Sequence, residues 1–289
     1  MIPEGAKPSG YAGLVGPSNA GRSSLLNSMT GKTISPVNAK PGTTRVPLTG
    51  LCLGPGFQIC LVDAPPIERT PQLEMYEWLD LVCLVLDARR LEEQLDMPGV
   101  KKICSSQERP LALALTFLDY FPKRLHGAFM NQATVRADFA AVFGVCPPTG
   151  KGVDRLRSWI IDRMPRREAL FPDRCSSLHS ERFLVSEQIR TQLYNFLPWQ
   201  IADHTAVQVQ EFSFRDGKTY VRANLHVAKH SSKGIVIGRK GLTLKSVAEE
   251  AGEQAERMLG RKVRLDLWVK VREGWPQTPE DLLEFGYVC

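Results

Sequence analysis

The sequence predicts an α/β domain built on a doubly wound parallel sheet, followed by a small α+β domain. Three observations carry that prediction. Over residues 1–165 short apolar runs alternate with helix-compatible stretches, the order in which strands and crossover helices build a covered sheet. The first run leads directly into a glycine-rich turn, Gly16-Pro-Ser-Asn-Ala-Gly-Arg-Ser23, and then into a helical stretch. From residue 182 the pattern changes to helix, two strands, two helices and a strand, with Asp216-Gly217 between the two strands as a hairpin signal.

The elements follow in order. Strands are expected at 11–15, 48–53, 58–63, 81–87, 111–115 and 140–145, several of them near-continuous apolar runs of the kind found where both faces are covered. Helices are expected at 23–29, 72–78, around 100–106, around 125–136 and at 153–164, where Val153, Leu156, Trp159 and Ile160 share one face. Residues 166–181, with Pro172 in their first part and a polar tail, read as a linker between domains at 1–165 and 182–289. The second domain then reads as a helix at 182–197, strands at 206–214 and 219–227, a short helix at 231–236, the turn Gly238-Arg-Lys-Gly241, a helix at 242–259 stopped by Gly260, and a strand at 262–271. Leu265 and Trp268 on that last strand are assigned to the core. Trp78, Trp159, Trp199 and Trp275 are assigned as packing anchors.

Composition narrows the function classes. The 289 residues are 43% hydrophobic and 24% charged, as in ordinary globular chains of about two domains. No apolar run is long enough to cross a bilayer, and the first residues resemble neither a secretory signal nor a transit peptide, so a soluble, cytoplasmic protein without integral membrane association is expected. Seven cysteines contain no C-x-x-C pair and five histidines are scattered, which supports neither a disulfide framework nor a zinc site. The net charge is +6, split evenly between residues 1–165 and 166–289. Residues 215–245 nonetheless hold eight cations against the single acid Asp216, the footprint of a polyanionic partner.

The motifs say which polyanions. The turn after the first strand meets the phosphate-loop pattern G-x-x-x-x-G-K-[ST] except that Arg22 replaces the lysine. Glycines there let the backbone curl until successive N–H groups aim at phosphate oxygens, and Ser23 can reach a magnesium ion. Pro41-Gly-Thr-Thr-Arg45 stands where a switch threonine would approach that metal. Asp63-Ala-Pro-Pro66 stands in place of D-x-x-G, Thr116-Phe-Leu-Asp119 in place of [NT]-K-x-D, and Val145-Cys-Pro-Pro-Thr-Gly150 in place of S-A-x-x-G. In the second domain Gly238-Arg-Lys-Gly241 resembles the G-x-x-G loop of a KH domain, where two glycines bring the backbone close to a nucleic-acid strand and two cations meet its phosphates.

Across nearly its whole length the chain resembles the Era family, two-domain GTPases that bind small-subunit ribosomal RNA. Asn19-Ala-Gly-Arg-Ser-Ser-Leu-Leu-Asn27 and Thr149-Gly-Lys-Gly-Val-Asp-Arg-Leu156 carry the likeness in the first half. Arg182-Phe-Leu-Val-Ser-Glu-Gln-Ile-Arg190, Ile235-Val-Ile-Gly-Arg-Lys-Gly241 and Leu265-Asp-Leu-Trp-Val-Lys-Val271 carry it in the second, with a closing Trp275 and Tyr287. The resemblance implies a P-loop GTPase-like domain and a type II KH domain, GTP or GDP with Mg²⁺, and a potassium ion placed by Asn19. It implies nucleotide contacts at Gly16, Asn19, Ala20, Gly21, Arg22, Ser23, Ser24 and Asp119, and metal contacts at Ser23, Thr43, Thr44 and Asp63. RNA contacts are implied at Lys233, Gly238, Arg239, Lys240 and Gly241; His230, just upstream, is read as a surface residue at the edge of that site. The implied partners are small-subunit ribosomal RNA and the pre-ribosomal particle, not DNA.

The departures from the family pattern fall on nucleotide contacts. Pro66 lacks the amide that a D-x-x-G glycine offers to the γ-phosphate, and Pro147 lacks the amide that would meet guanine O6. Phe117 replaces a lysine that packs over the base, and Arg22 is forked and longer than the lysine it replaces. Hydrogen bonds to charged groups contribute about 1.5–3 kcal/mol each, so two such losses weaken γ-phosphate binding by about 3–6 kcal/mol. Two readings follow: an RNA-binding factor whose GTPase domain has weakened or lost binding and turnover, or a slow GTPase switch that couples hydrolysis to release of RNA.

Overall fold

A parallel sheet organises the first unit of the chain. The computed structural model describes residues 5–37, 47–68, 77–105, 109–171 and 178–285, and, residues 36–45 apart, the chain divides into two units between Leu178 and His179. Strands β1 (Lys7–Val15), β2 (Leu48–Gly54), β3 (Phe57–Asp63), β4 (Leu81–Asp87), β5 (Leu111–Thr116) and β6 (Ala141–Gly144) lie in the order β2-β3-β1-β4-β5-β6. Only β2 runs antiparallel to its neighbour in that series. Every residue of β5 is buried, which accounts for its unbroken apolar run: both its faces are covered. Helices α1 (Arg22–Thr30), α2 (Leu91–Asp96), α3 (Pro98–Ser105), α4 (Lys123–Arg136) and α5 (Val153–Arg163) connect the strands. One core joins Leu84, Leu86, Leu113 and Leu115 of the sheet to Val100 and Ile103 of α3. Strand order reverses about β1, whose neighbours are β3 and β4. In such sheets ligands collect beyond the carboxyl ends of the strands at the reversal.

Two details depart from the sequence reading. Residues 166–181 are not wholly a connector, because β7 (Arg166–Arg167) pairs antiparallel with β1 and the Gln58 side chain holds the backbone of Phe171 at 2.6 and 2.8 Å. The helix expected at 72–78 falls mostly outside the described residues, and Trp78 at its end is in a turn, exposed, its ring 5.0 Å from that of Tyr11. Cys52, Cys60 and Cys83 are buried as expected, and burial pushes the Cys60 and Cys83 thiols up to about 12.

The second unit holds α6 (Glu181–Phe196), α7 (Trp199–Asp203), β8 (Thr205–Arg215), β9 (Lys218–Val227), α8 (His230–Ile237), α9 (Leu242–Leu259), β10 (Lys262–Val271) and α10 (Pro279–Glu284). Its sheet runs β10-β9-β8, with β9 antiparallel to β8 and parallel to β10. Asp216 and Gly217 both take positive φ, 52° and 71°, the left-handed pair that a two-residue hairpin requires. Val185, Ile189 and Leu193 of α6 and Val247, Ala251 and Ala255 of α9 pack on one face of the sheet against Val221, Ala223 and Leu225.

Along β10 the burial alternates, Leu265 and Leu267 inward and Asp266 and Trp268 outward. Trp268 is 57% exposed, which corrects its assignment to the core. Leu265 and Trp268 are three positions apart, so on a period-two strand only one of them can face the helices. Trp199 is likewise exposed, whereas Trp275 is buried and donates its indole N–H to the His204 carbonyl at 3.1 Å. Among the described residues no helix is long and apolar enough to cross a membrane.

Candidate functional site

Two glycine turns, each opening a helix, are the candidate sites. The first follows β1. Gly16 passes so close to β4 that a Cβ there would lie 2.2 Å from the Val85 carbonyl oxygen, so no other residue fits without displacing the backbone. Asn19 and Gly21 both take positive φ, 61° and 91°, and α1 starts at Arg22. Asn19 is exposed, Ala20 is buried and Ser24 is half-buried on the first turn of α1. The Thr116 hydroxyl at the end of β5 lies 2.8 Å from the Ala20 carbonyl and 3.0 Å from that of Leu86, tying the loop to the sheet. Thr116 was legible as a motif position, but the sequence did not reveal this anchoring.

The structure brings Ser23 and Asp63 together. The Ser23 hydroxyl donates to Asp63 Oδ2 at 2.6 Å, and so does the hydroxyl of Ser35 at 2.8 Å, a contact with no motif to announce it. A hydroxyl that gives its proton to a carboxylate keeps its lone pairs for a cation. Asp63 Oδ1 is buried without a hydrogen-bond partner. This pair therefore fits a magnesium ion. Thr43 and Thr44 lie outside the described residues.

Arg22 goes elsewhere than a phosphate-loop cation would. Its side chain is 5% exposed, its Nη1 donates to the Ala64 carbonyl at 2.7 Å, and its Nε lies 3.9 Å from Asp63 Oδ1. The charge is thus turned under the end of β3, not presented on the open side of the loop. The segment after Asp63 adds to this. Its Ile67 amide donates to the Gly16 carbonyl at 3.3 Å, and the Glu68 carboxylate accepts from the Ser18 amide at 3.0 and 3.3 Å. One amide of the loop is already given to an anion of the chain itself.

The segment expected to face a base is likewise engaged within the chain. Phe117 is left-handed at φ 56°, and the Arg89 guanidinium lies 3.8 Å over its ring while Asp87 grips that guanidinium at 2.7 and 3.0 Å. The aromatic face that a base would stack on is thus shared with a cation. Asp119 is exposed in the following 3₁₀ turn. At 146–150 the Cys146 amide donates to Lys151, the Thr149 amide to Cys146 and the Gly150 amide to Pro147, while Pro147 and Pro148 have none to give. Every amide of that loop is absent or spent internally.

The second turn joins α8 to α9. Gly238 has φ 73° and ψ 176°, and a Cβ on it would lie 2.1 Å from Thr243 Oγ1 and 2.9 Å from the Thr243 amide nitrogen. Lys240 and Gly241 are both left-handed, at φ 52° and 78°. The turn is closed by the Gly241 amide donating to the Gly238 carbonyl at 3.1 Å. Lys233, Arg239 and Lys240 are exposed, and so are Ile235 and Leu242 on either side of the turn. Cations and apolar shoulders share one surface, which suits a ribose-phosphate strand with bases beside it. His230 is also exposed, 4.0 Å from Glu273.

Known proteins match both halves. Residues 11–117 match the family model for 50S ribosome-binding GTPases, and residues 201–276 match that for KH domains. GTPase Era of Trichlorobacter lovleyi is 34% identical over 96% of this chain and 97% of its own length. The chain belongs to the Era family. Solved Era structures cover 98% of it and are covered completely in return. One is an Aquifex aeolicus Era variant bound to GDP·AlF4⁻, with TM-score 0.87 and 26% identity. Another is Era in complex with MgGDPNP and nucleotides 1506–1542 of 16S ribosomal RNA, with TM-score 0.88 and 25% identity. Era membership accounts for a P-loop domain and a KH domain in one chain.

Proposed function

We propose that this chain is an RNA-binding assembly factor of the small ribosomal subunit whose GTPase-type domain binds triphosphate weakly and turns it over slowly or not at all. The observation that carries the reading is the Gly238–Gly241 turn. It has the required backbone conformation and exposed cations, and it lies in a chain whose structural relative was solved with 16S ribosomal RNA. Lys233, Arg239 and Lys240 meet phosphates, Gly238 and Gly241 let the strand approach, and the pre-ribosomal particle in the cytoplasm is the partner.

Weakened nucleotide binding rests on the burial of Arg22, the missing amides at Pro66 and Pro147 and the Glu68 carboxylate on Ser18. Phosphoryl transfer depends on positioning and charge stabilisation, so turnover falls at least as far as affinity. When nucleotide is bound, Gly16, Asn19, Ala20, Gly21, Ser23 and Ser24 surround its phosphates and Asp119 its base. Ser23 and Asp63 hold Mg²⁺, which neutralises phosphate charge, and Asn19 offers an oxygen to K⁺. The preserved Ser23–Asp63 pair favours the second reading, a slow GTPase switch that couples hydrolysis to release from 16S-type ribosomal RNA.

Titration of a labelled GTP analogue with Mg²⁺, alongside steady-state phosphate release, separates the two. The proposal expects no saturation below about ten micromolar (about −7 kcal/mol) and negligible release. Tight saturation with release abolished by Ser23→Ala establishes the switch instead.

A further inference from the structure

The losses in the phosphate site are unevenly placed. A phosphate loop cradles the inner phosphates with its backbone amides and the start of its helix, and it reaches the outer ones with the motif lysine and the D-x-x-G amide. The inner half is kept here. Gly16 passes against the Val85 carbonyl, Asn19 and Gly21 hold positive φ, and α1 opens at Arg22 with no side chain capping its first amides among the described residues. Ser23 donates to Asp63 Oδ2 at 2.6 Å, and Asp63 Oδ1 is buried without a hydrogen-bond partner among the described residues, a place for a cation beside those phosphates.

The outer half is rebuilt. Arg22 is buried against the Ala64 carbonyl, and Pro66 has no amide to offer. The segment that carries Pro66 nevertheless closes on the loop. The Ile67 amide donates to the Gly16 carbonyl at 3.3 Å, and Glu68, the next residue, sets both carboxylate oxygens on the Ser18 amide at 3.0 and 3.3 Å. Ser18 lies ahead of Asn19 and Gly21, the residues through which the loop curls into α1. Where the motif brings an amide to the terminal phosphate, this chain brings an anion of its own to a loop amide. A third phosphate arriving there meets neither the Arg22 charge nor an amide at 66, and it meets a carboxylate already seated. Like charges at such distances repel, and one N–H serves only one of them well.

We propose that Glu68 stands in for the terminal phosphate, so that the first unit selects a nucleoside diphosphate over the triphosphate. This rests on the reading above, in which triphosphate is held weakly, and confines the loss to the outermost phosphate. A Glu68 side chain that merely lay on the loop would leave the two nucleotides equal.

The test is titration calorimetry of the full-length protein with Mg·GDP and with a non-hydrolysable GTP analogue and Mg²⁺. Wild type is expected to bind the diphosphate about tenfold or more tighter, the scale of one hydrogen bond to a charged group. Glu68→Ala is expected to strengthen the triphosphate analogue about tenfold and to move the diphosphate by less than about twofold. Glu68→Gln keeps the reach of the side chain without its charge and is expected to follow Glu68→Ala. Ser23→Ala removes a contact common to both nucleotides and is expected to weaken both. Equal wild-type affinities for the two nucleotides overturn the proposal, and so does a Glu68→Ala variant that moves both alike or neither. Failure of wild type to bind either nucleotide also overturns it, while the weak-triphosphate reading stands. Saturation by GTP below about ten micromolar with steady phosphate release overturns that reading instead.

Discussion

The two glycine turns use the same device and end in opposite states. Each curls the backbone through positive φ and starts a helix, at Arg22 in one and Leu242 in the other. In the second turn Arg239 and Lys240 stand in solvent. In the first, the cation at the equivalent place is bonded to Ala64, one loop amide is held by Glu68, and the neighbouring loops have lost donors to proline. Loop conformation alone therefore does not make an anion site. What matters is whether the charges around it stand in solvent.

The contrast can be broken most forcefully by repair. Arg22→Lys with Pro66→Gly is expected to strengthen Mg·GTP binding by about 3–6 kcal/mol, a hundredfold or more, as read by titration calorimetry. Unchanged affinity would show that these positions do not limit the site. Next in size is Asp63→Ala. It leaves the buried Arg22 without its carboxylate, and breaking a buried pair costs about 3–5 kcal/mol. The first unit is expected to melt about 6–20 °C lower, at about 2–4 °C per kcal/mol. A melting point within 2 °C of wild type would reduce Asp63 to a metal contact.

Smaller effects test the second turn. Gly238→Ala forces a Cβ into Thr243 and is expected to weaken RNA binding about tenfold to a hundredfold in an anisotropy titration, against little change for Gly234→Ala, where a Cβ meets open space. Lys240→Ala is expected to lower affinity by tenfold or less and the salt slope by about 0.7. The smallest effect concerns His226. Burial, with Arg272 and Lys270 nearby, holds its imidazole below the usual histidine range. The unfolded chain then takes up the proton first, so the second unit's stability is unaffected above about pH 6.5 and declines as pH falls below it. His226→Gln should flatten that decline in a denaturant series.

Much of this was legible in the sequence because burial and periodicity carry the signal. The runs at 81–87 and 111–115 match β4 and most of β5, since strands covered on both faces cannot hide among polar positions. Helices α2, α7 and α10, of five or six residues each, were missed because so short a stretch shows less than two turns of periodicity. At the sites, the spacing of Ser23, Asp63 and Gly238–Gly241 marked the places, yet the direction of a long side chain is a tertiary fact. Nothing in the string shows that Arg22 bends under Asp63 or that Arg89 covers Phe117. Trp268 is a different case: alternation with Leu265 already required it to face outward.

The central claim is that RNA is held by the second turn without reference to triphosphate in the first. The direct measurement is the affinity of the full-length protein for an RNA equivalent to nucleotides 1506–1542 of 16S ribosomal RNA, with and without saturating Mg·GTP. The account predicts firm binding that changes less than about twofold on adding nucleotide, under 0.5 kcal/mol of coupling. A shift of tenfold or more, abolished by Ser23→Ala, would contradict it.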